Sequence, residues 1–138
     1  MQTILIVEKN SAHAKLAALT LAAAGFAVLR AGDAQEGLQL ARIHQPDLVL
    51  HDSRPPGMDG LTALRLLRTD PLTQAMKVIL VSSFGDRVPQ AEVLAAGADV
   101  HLAKPYPYMT LPSQVRRLLQ RDAAATPVVS KPLQEMHQ

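Results

Sequence analysis

Residues 47–60 read DLVLHDSRPPGMDG, and this stretch decides the fold. Its first part, Asp47 to His51, is a short apolar run followed by a carboxylate, Asp52, which is typical of a strand buried on both faces. The prolines and the glycine of residues 55–57 then predict a loop. Leucines recur at helical spacing from Leu61, so the stretch predicts a strand, a loop and a helix in succession.

The same alternation of strand and helix extends outward in both directions. Short apolar runs predict four more strands, at Thr3–Val7, Phe26–Ala31, Lys77–Val81 and Val100–Ala103. Each is followed by a segment with apolar residues at helical spacing. Five such alternations require a parallel sheet with right-handed crossovers and helices on both faces. The sequence therefore predicts an α/β domain with a five-stranded parallel sheet.

Composition and charge narrow the class of protein. The 138 residues are 48% hydrophobic, which suits one domain with a substantial core. We place this domain at residues 1–122 and interpret residues 123–138 as a tail or linker, because the apolar pattern stops after Asp122. The formal net charge is only +2 and no basic run stands out, so this chain is not expected to bind nucleic acid. The absence of cysteine excludes a disulfide scaffold and Cys-ligated zinc.

The first residues of the chain and its apolar runs predict the cellular compartment. The opening, MQTILIVEKN, lacks the basic segment and the cleavage site of a secretory signal. The longest apolar run, Leu16 to Leu29, is interrupted by Thr20 and Gly25 and is too short to cross a bilayer. We therefore expect a cytoplasmic domain without a membrane partner.

Polar residues follow four of the five predicted strands. Glu8 comes after the first strand, Asp52 after the third, Ser82 after the fourth and Lys104 after the fifth. Because the carboxyl ends of parallel strands meet at one edge of the sheet, these side chains are expected to converge there. A carboxylate pair, a hydroxyl and an ammonium at one edge predict a functional site.

These motifs resemble those of response-regulator receiver domains in two-component signalling. The resemblance covers residues 2–122, and it is carried by ILIVEKN, PDLVLHDSRPPGMDG, VILVSS and GADVHLAKPY. Residues 56–60 and the dipeptide Lys104–Pro105, before whose proline receivers commonly have a cis peptide bond, are the most characteristic. The resemblance implies a flavodoxin-like, three-layer (βα)5 fold with the strand order 2-1-3-4-5.

The resemblance also implies the roles of three residues. Asp52 would be the phosphoacceptor, whose carboxylate becomes an acyl phosphate. The ammonium of Lys104 would hold a phosphoryl oxygen, and the hydroxyl of Ser82 would turn toward the phosphoryl group on activation. Asp52 would carry the phosphoryl group only transiently, so the chain is not expected to be an enzyme with independent turnover of a small molecule.

The metal site departs from the family's pattern. Receivers normally carry two acidic residues after the first strand that help to hold Mg²⁺, and here these positions are Glu8 and Lys9. The remaining metal ligands would be Glu8, Asp52 and the backbone carbonyl of Arg54, all weak, and the Arg54 side chain adds a second atypical cation. Either Lys9 points to solvent and a weakened Mg²⁺ site survives, or Lys9 pairs with Asp52 or Glu8 and replaces the metal.

A second departure is His101, which stands where many receivers have a Tyr or Phe that changes rotamer on activation. Two interpretations stay open for His101: a switch residue together with Ser82, or a half-exposed histidine at a strand edge. His51, which precedes Asp52, should point to the opposite face of the sheet and be structural.

Three functions remain to be compared. The first is a phosphorelay receiver that docks a sensor histidine kinase or phosphotransfer protein. It would signal to a downstream partner or output domain through the face formed by strand 5 and two predicted helices, helix 4 at Val88–Ala96 and helix 5 at Leu111–Leu119. Helices 4 and 5 could also pair in a homodimer. The second is a degenerate receiver, a constitutive protein-interaction module, which Lys9 and Arg54 favour. A flavin or nucleotide binder is disfavoured, because residues 8–14 contain no glycine and one hydroxyl.

Overall fold

The computed structural model describes residues 1–55, 57–83, 88–120 and 128–129 of the chain. Its strands are β1 Thr3–Val7, β2 Ala27–Ala31, β3 Leu48–Asp52, β4 Lys77–Ser82, β5 Val100–Ala103 and β6 Val128–Val129. Its helices are α1 Ser11–Ala23, α2 Ala34–His44, α3 Gly60–Thr69, α4 Gln90–Ala95 and α5 Leu111–Leu119. A single 3₁₀ turn, Tyr108–Thr110, precedes α5. In this described part, no helix is long and apolar enough to cross a membrane.

All strands of the sheet are parallel, and they lie in the order β2-β1-β3-β4-β5-β6. The first five positions confirm the predicted order 2-1-3-4-5. Leu5, at the centre of β1, lies opposite Leu29 of β2 and Val49 of β3, which fixes the register of the buried middle of the sheet. The sequence did not predict β6, which adds a short strand from the tail to the outer edge of β5.

The core consists of two apolar clusters, one on each face of the sheet. Ile4 and Ile6 of β1 belong to the cluster under α1 and α5, whereas Leu5 and Val7 belong to the cluster under α2, α3 and α4. This division follows from the twofold alternation of side chains along a strand. The result is the three-layer α/β/α arrangement that the alternating sequence predicted.

The helices next to the sheet's carboxyl edge begin at side-chain caps. Asn10 caps α1 by accepting a hydrogen bond from the backbone N–H of His13 at 3.1 Å. Asp33 caps α2 by accepting a hydrogen bond from the backbone N–H of Glu36 at 2.7 Å. Asp59 caps α3. The predicted α4 was longer than the observed one, because Pro89 precedes the helix as its N-cap and does not lie inside it.

Gly60 allows α3 to start against the backbone at the end of β3. A Cβ at Gly60 would lie 2.7 Å from the carbonyl oxygen of Ser53 and 2.8 Å from that of Asp52, which is closer than carbon and backbone oxygen approach. We expect Gly60→Ala to lower the free energy of unfolding by about 1–3 kcal/mol, since the backbone must shift. Gly32→Ala is the matched control, because its Cβ would meet no atom within 4 Å. Urea unfolding of both variants measures the difference, and equal stabilities would contradict it.

Candidate functional site

The polar residues predicted at the strand ends meet at one edge of the sheet. Asp52 ends β3 and is buried, with 7% of its surface exposed, and Ser82 ends β4 and is 4% exposed. Lys104 directly follows β5, and Glu8 directly follows β1. Glu8, Asp52 and Lys104 line one narrow cleft. A cleft with two carboxylates and an ammonium favours chemistry on a charged group.

An ion pair joins two of these residues across the cleft. The Nζ of Lys104 donates a hydrogen bond to Oε1 of Glu8, and the two side chains are only 14% and 9% exposed. The other oxygen of Glu8, Oε2, accepts the backbone N–H of Asn10 at 3.3 Å. Because water screens this pair poorly, the attraction between the two charges is strong. Both oxygens of Glu8 are therefore engaged by groups of the chain itself.

His13 is a site residue that the sequence analysis missed. Its Nδ1 lies 3.0 Å from Nζ of Lys104 and 3.7 Å from Oε1 of Glu8. An ammonium can only donate, so Nδ1 accepts and the imidazole proton is on Nε2. The available signal was the position of His13 in the first turn of a helix that begins just after Glu8.

Ser82 and His101 form a second pair of polar side chains, and both are buried. The Oγ of Ser82 lies 2.7 Å from Nε2 of His101, and His101 is 8% exposed. Of the two interpretations of His101, the half-exposed one is therefore wrong. Burial lowers the pKa of His101, which favours the neutral imidazole. Ser82 and His101 thus form a neutral hydrogen-bonded pair between the ends of β4 and β5.

His51 is buried under the opposite face of the sheet, as expected from its position next to Asp52. Only 2% of its surface is exposed, and its Nδ1 lies 2.7 Å from the carbonyl oxygen of Asp52. Nδ1 therefore carries the proton and donates it, whereas the buried Nε2 meets no hydrogen-bond partner among the described residues. Burial lowers the pKa of His51, because a proton on Nε2 would place a charge in the core.

This burial predicts how stability depends on pH. Below about pH 6.5 the unfolded chain protonates His51 and the folded chain does not, so the unfolded state binds more protons and the free energy of unfolding falls as the pH falls. We expect this loss to reach about 1.4 kcal/mol per pH unit for one histidine, until the folded pKa is reached. In His51→Leu the decrease between pH 7.5 and 5.5 should be smaller. The control is His44→Leu, at an exposed position of α2, and equal slopes in all three proteins would contradict the prediction.

Comparison with known families identifies this arrangement. The profile of the response regulator receiver domain matches residues 4–116, which include Glu8, Asp52, Ser82 and Lys104. The chain belongs to the response regulator receiver family. Receiver domains act in two-component signalling with histidine kinases or phosphotransfer proteins and with output domains.

Curated relatives of this receiver are mostly longer proteins. The chain is 34% identical over 121 residues to the DNA-binding dual master transcriptional regulator RpaA of Synechocystis, which covers 88% of this chain and 50% of RpaA. It is 35% identical over 115 residues to the response regulator PleD of Caulobacter vibrioides, which covers 83% of this chain and 25% of PleD. The receiver thus spans about half or less of the length of these relatives.

Solved structures of receivers share the fold closely. A response regulator from Chloroflexus aurantiacus is 33% identical, with a TM-score of 0.81 over 87% of this chain and 98% of that one. The receiver domain of a sensor histidine kinase from Pseudomonas aeruginosa is 26% identical, with a TM-score of 0.79 over 87% of this chain and 98% of that one. That second domain holds a magnesium ion in its active-site cleft. The peptide bond between Lys104 and Pro105 is cis, as the resemblance implied.

The described part of the chain contains no group of three or more His, Asp or Glu residues that could hold a metal ion. Lys9 is exposed and forms no ion pair with any residue that the structure describes. Lys104 is the cation that pairs with Glu8. Pro56 of the third-strand motif lies outside the described residues.

Proposed function

We propose that this receiver accepts a phosphoryl group on Asp52. The observation that carries the proposal is the meeting of Asp52, Ser82 and Lys104 at the carboxyl ends of three neighbouring strands in a domain of the receiver family. A buried carboxylate beside an ammonium and a hydroxyl is suited to phosphoryl transfer, which requires charge neutralisation and alignment more than activation of the nucleophile.

The transfer is a substitution at phosphorus. A carboxylate oxygen of Asp52 forms a bond to phosphorus, the bond from phosphorus to the donor's leaving group breaks, and the leaving group keeps the electron pair. The ammonium of Lys104 then neutralises a phosphoryl oxygen. Because Lys104 is paired with Glu8 before the reaction, the ammonium must exchange one anionic partner for another. Asp52 is a transient carrier and the domain turns over no small-molecule substrate independently.

A weak requirement for Mg²⁺ is part of this proposal. The candidate ligands are Glu8, Asp52 and the backbone carbonyl of Arg54. Glu8 already neutralises Lys104, and its neighbour Lys9 brings a positive charge to a position where the family usually has a ligand. Both features lower the affinity for a divalent cation, so Mg²⁺ would be bound weakly or not at all.

The switch in this proposal is the hydrogen bond between Ser82 and His101. On phosphorylation the Ser82 hydroxyl turns toward a phosphoryl oxygen and leaves Nε2 of His101 without its hydrogen-bond partner. His101 then rearranges on β5, which lies between α4 and α5. The face of α4, β5 and α5 relays the change to an output domain or protein partner, or to a second copy through α4 and α5.

An apolar surface beside the cleft supports docking of a kinase or phosphotransfer protein in the cytoplasm. Leu16 and Leu19 of α1 are 49% and 58% exposed, and Met109 in the 3₁₀ turn is 89% exposed. Leu16 also lines an open apolar depression together with Tyr108 and Lys104. Exposed apolar residues next to a reactive group are typical of a protein-docking surface.

A second candidate function is a constitutive interaction module of the same fold. The ion pair between Glu8 and Lys104 favours it, because the Lys104 ammonium already has an anionic partner without phosphate or metal. The two functions differ in one respect: only the first requires that Asp52 react.

Intact-mass spectrometry after incubation with acetyl phosphate tests the proposal. We expect a phosphoryl adduct on the wild-type chain, with or without Mg²⁺, and none on Asp52→Asn, which removes the nucleophilic oxygen and little else. An adduct that persists in Asp52→Asn would place the reaction elsewhere. Absence of any adduct on a folded chain, including with phosphorylated kinase, would contradict phosphoryl transfer and leave the interaction module.

A further inference from the structure

The tail of this receiver returns to the sheet. Val128 and Val129 form β6, which pairs in parallel with β5, Val128 opposite Val100 and Val129 opposite His101. Without β6, the outer side of β5 would be an edge of the sheet with unpaired backbone N–H and C=O groups. An extended segment satisfies such groups, and two β-branched residues favour the extended conformation.

The helix α5 lies between β5 and β6 in the order of the chain. Leaving β5, the chain forms α5 from Leu111 to Leu119, which packs on the same apolar cluster as α1. A helix that follows a strand and packs on the sheet runs back toward the strand's start, so the chain emerges near Val100. Val128 pairs with Val100, the first residue of β5. The strands β5 and β6 with α5 thus form one βαβ unit, and the segment interpreted from the sequence as a tail or linker contributes to the sheet.

The residue that β6 pairs with is also the switch residue. The backbone of His101 lies opposite Val129, and its side chain lies 2.7 Å from Oγ of Ser82. His101 is therefore restrained twice: its backbone pairs with β6, and its side chain forms a hydrogen bond with Ser82. A change that displaces the backbone of His101 alters the pairing of β6, and loss of β6 removes one restraint on that backbone.

We propose that β6 is an autoinhibitory strand: residues 128–129 occupy the outer edge of β5 while Asp52 is unphosphorylated, cover the output face there, and are released when Ser82 turns to the phosphoryl group. The occupant of this edge is the chain's own tail. The coupling to phosphorylation rests on the proposed function, whereas the docking does not. The docked strand disfavours the conformation in which Ser82 faces the phosphoryl group, so a chain with undocked residues 128–129 populates that conformation more and accepts the phosphoryl group faster.

The docking is tested on the full chain without phosphate. The double variant Val128→Pro/Val129→Pro removes both backbone N–H groups of β6, and the control Gln134→Pro places the same residue type beyond the strand. We expect hydrogen exchange at the amides of Val100 to Leu102, measured by NMR, to be at least about fivefold faster in the double variant and unchanged in the control. Equal hydrogen-exchange rates in all three chains would show that residues 128–129 do not pair with β5, whether or not Asp52 can be phosphorylated.

The regulatory part is tested by acetyl phosphate and intact mass on the same three chains. We expect the double variant to form the Asp52 adduct about fivefold faster than the wild type or Gln134→Pro, the lower end of allosteric coupling factors. If the double variant shows faster hydrogen exchange but forms the Asp52 adduct at the wild-type rate, the coupling of β6 to phosphorylation is wrong. The pairing of residues 128–129 with β5 would still stand. No adduct on any of the chains would contradict the proposed function and the coupling together, while the exchange rates would still decide the docking.

Discussion

Replacing Lys104 by methionine is expected to slow formation of the Asp52 adduct from acetyl phosphate by about 100-fold. The transferred phosphoryl group carries negative charge into a cleft that already holds Asp52 and Glu8, and the ammonium of Lys104 is the charge that compensates for it. Removing one preorganised donor from such a site costs about 10²–10³ in rate. Quench-flow sampling followed by intact-mass spectrometry measures the rate directly.

The controls for this experiment separate chemistry from folding. Lys104→Met leaves the poorly exposed Glu8 carboxylate without its cation, which lowers stability as well. The double variant Glu8→Gln/Lys104→Met removes both charges, so its stability should recover while its rate stays low. Lys15→Met removes one positive charge from the exposed side of α1 and should react like the wild type. If Lys104→Met reacts at the wild-type rate, the role proposed for its ammonium is wrong.

The fold could be predicted from the sequence because its signals are local and repeated. Each strand is a short apolar run such as Thr3–Val7, and each helix is an apolar periodicity closed by a cap or a glycine. Asn10, Asp33 and Asp59 cap helices through their own side chains, an interaction that spans only two or three residues. The strand order is not local information, and it came from the resemblance to receivers.

The contacts within the site could not be predicted in the same way. The predicted strand ends place Glu8 and Lys104 at one edge of the sheet. Which cation pairs with Glu8 depends on how far each side chain extends in the folded protein, and Lys104 is 96 residues away from Glu8 in the sequence. The sequence left open whether Lys9 points to solvent or pairs with an acidic neighbour, and in the structure Glu8 pairs with Lys104, whose side chain is 14% exposed whereas Lys9 is exposed. His13 was missed for the same reason, since its role depends on Lys104.

The strand β6 could not be predicted from the sequence for a different reason. Val128 and Val129 are two β-branched residues after a proline, and a run of two is too short to distinguish a strand from a linker. Their pairing depends on the exposed outer side of β5, which the sequence of the tail does not contain. Whether a short edge strand forms depends more on the partner strand than on the β-propensity of its own residues.

Lys9→Asp is expected to raise the affinity for Mg²⁺ by about 30-fold. The change adds a carboxylate beside Glu8 and removes a cation, a difference of two charge units near a divalent ion. With water-like screening, since Lys9 is exposed, and a separation of about 8 Å, this is worth about 2 kcal/mol. It also supplies a carboxylate in a cleft where Lys104 already engages Glu8. Titration with Mg²⁺ followed by NMR shifts of the Asp52 amide measures the affinity.

The matched control for this gain is Lys15→Asp, which makes the same charge change on the exposed side of α1. If the gain comes from direct ligation, Lys15→Asp raises the affinity only slightly, and adding Asp52→Asn to Lys9→Asp abolishes most of the increase. If both lysine variants gain equally, the effect is one of net charge and Lys9 does not occupy a ligand position. An affinity of Lys9→Asp that is equal to or weaker than the wild type's would mean that the pairing of Glu8 with Lys104 alone keeps the ion out, because the carboxylate at residue 9 would then bring no usable ligand to the cleft.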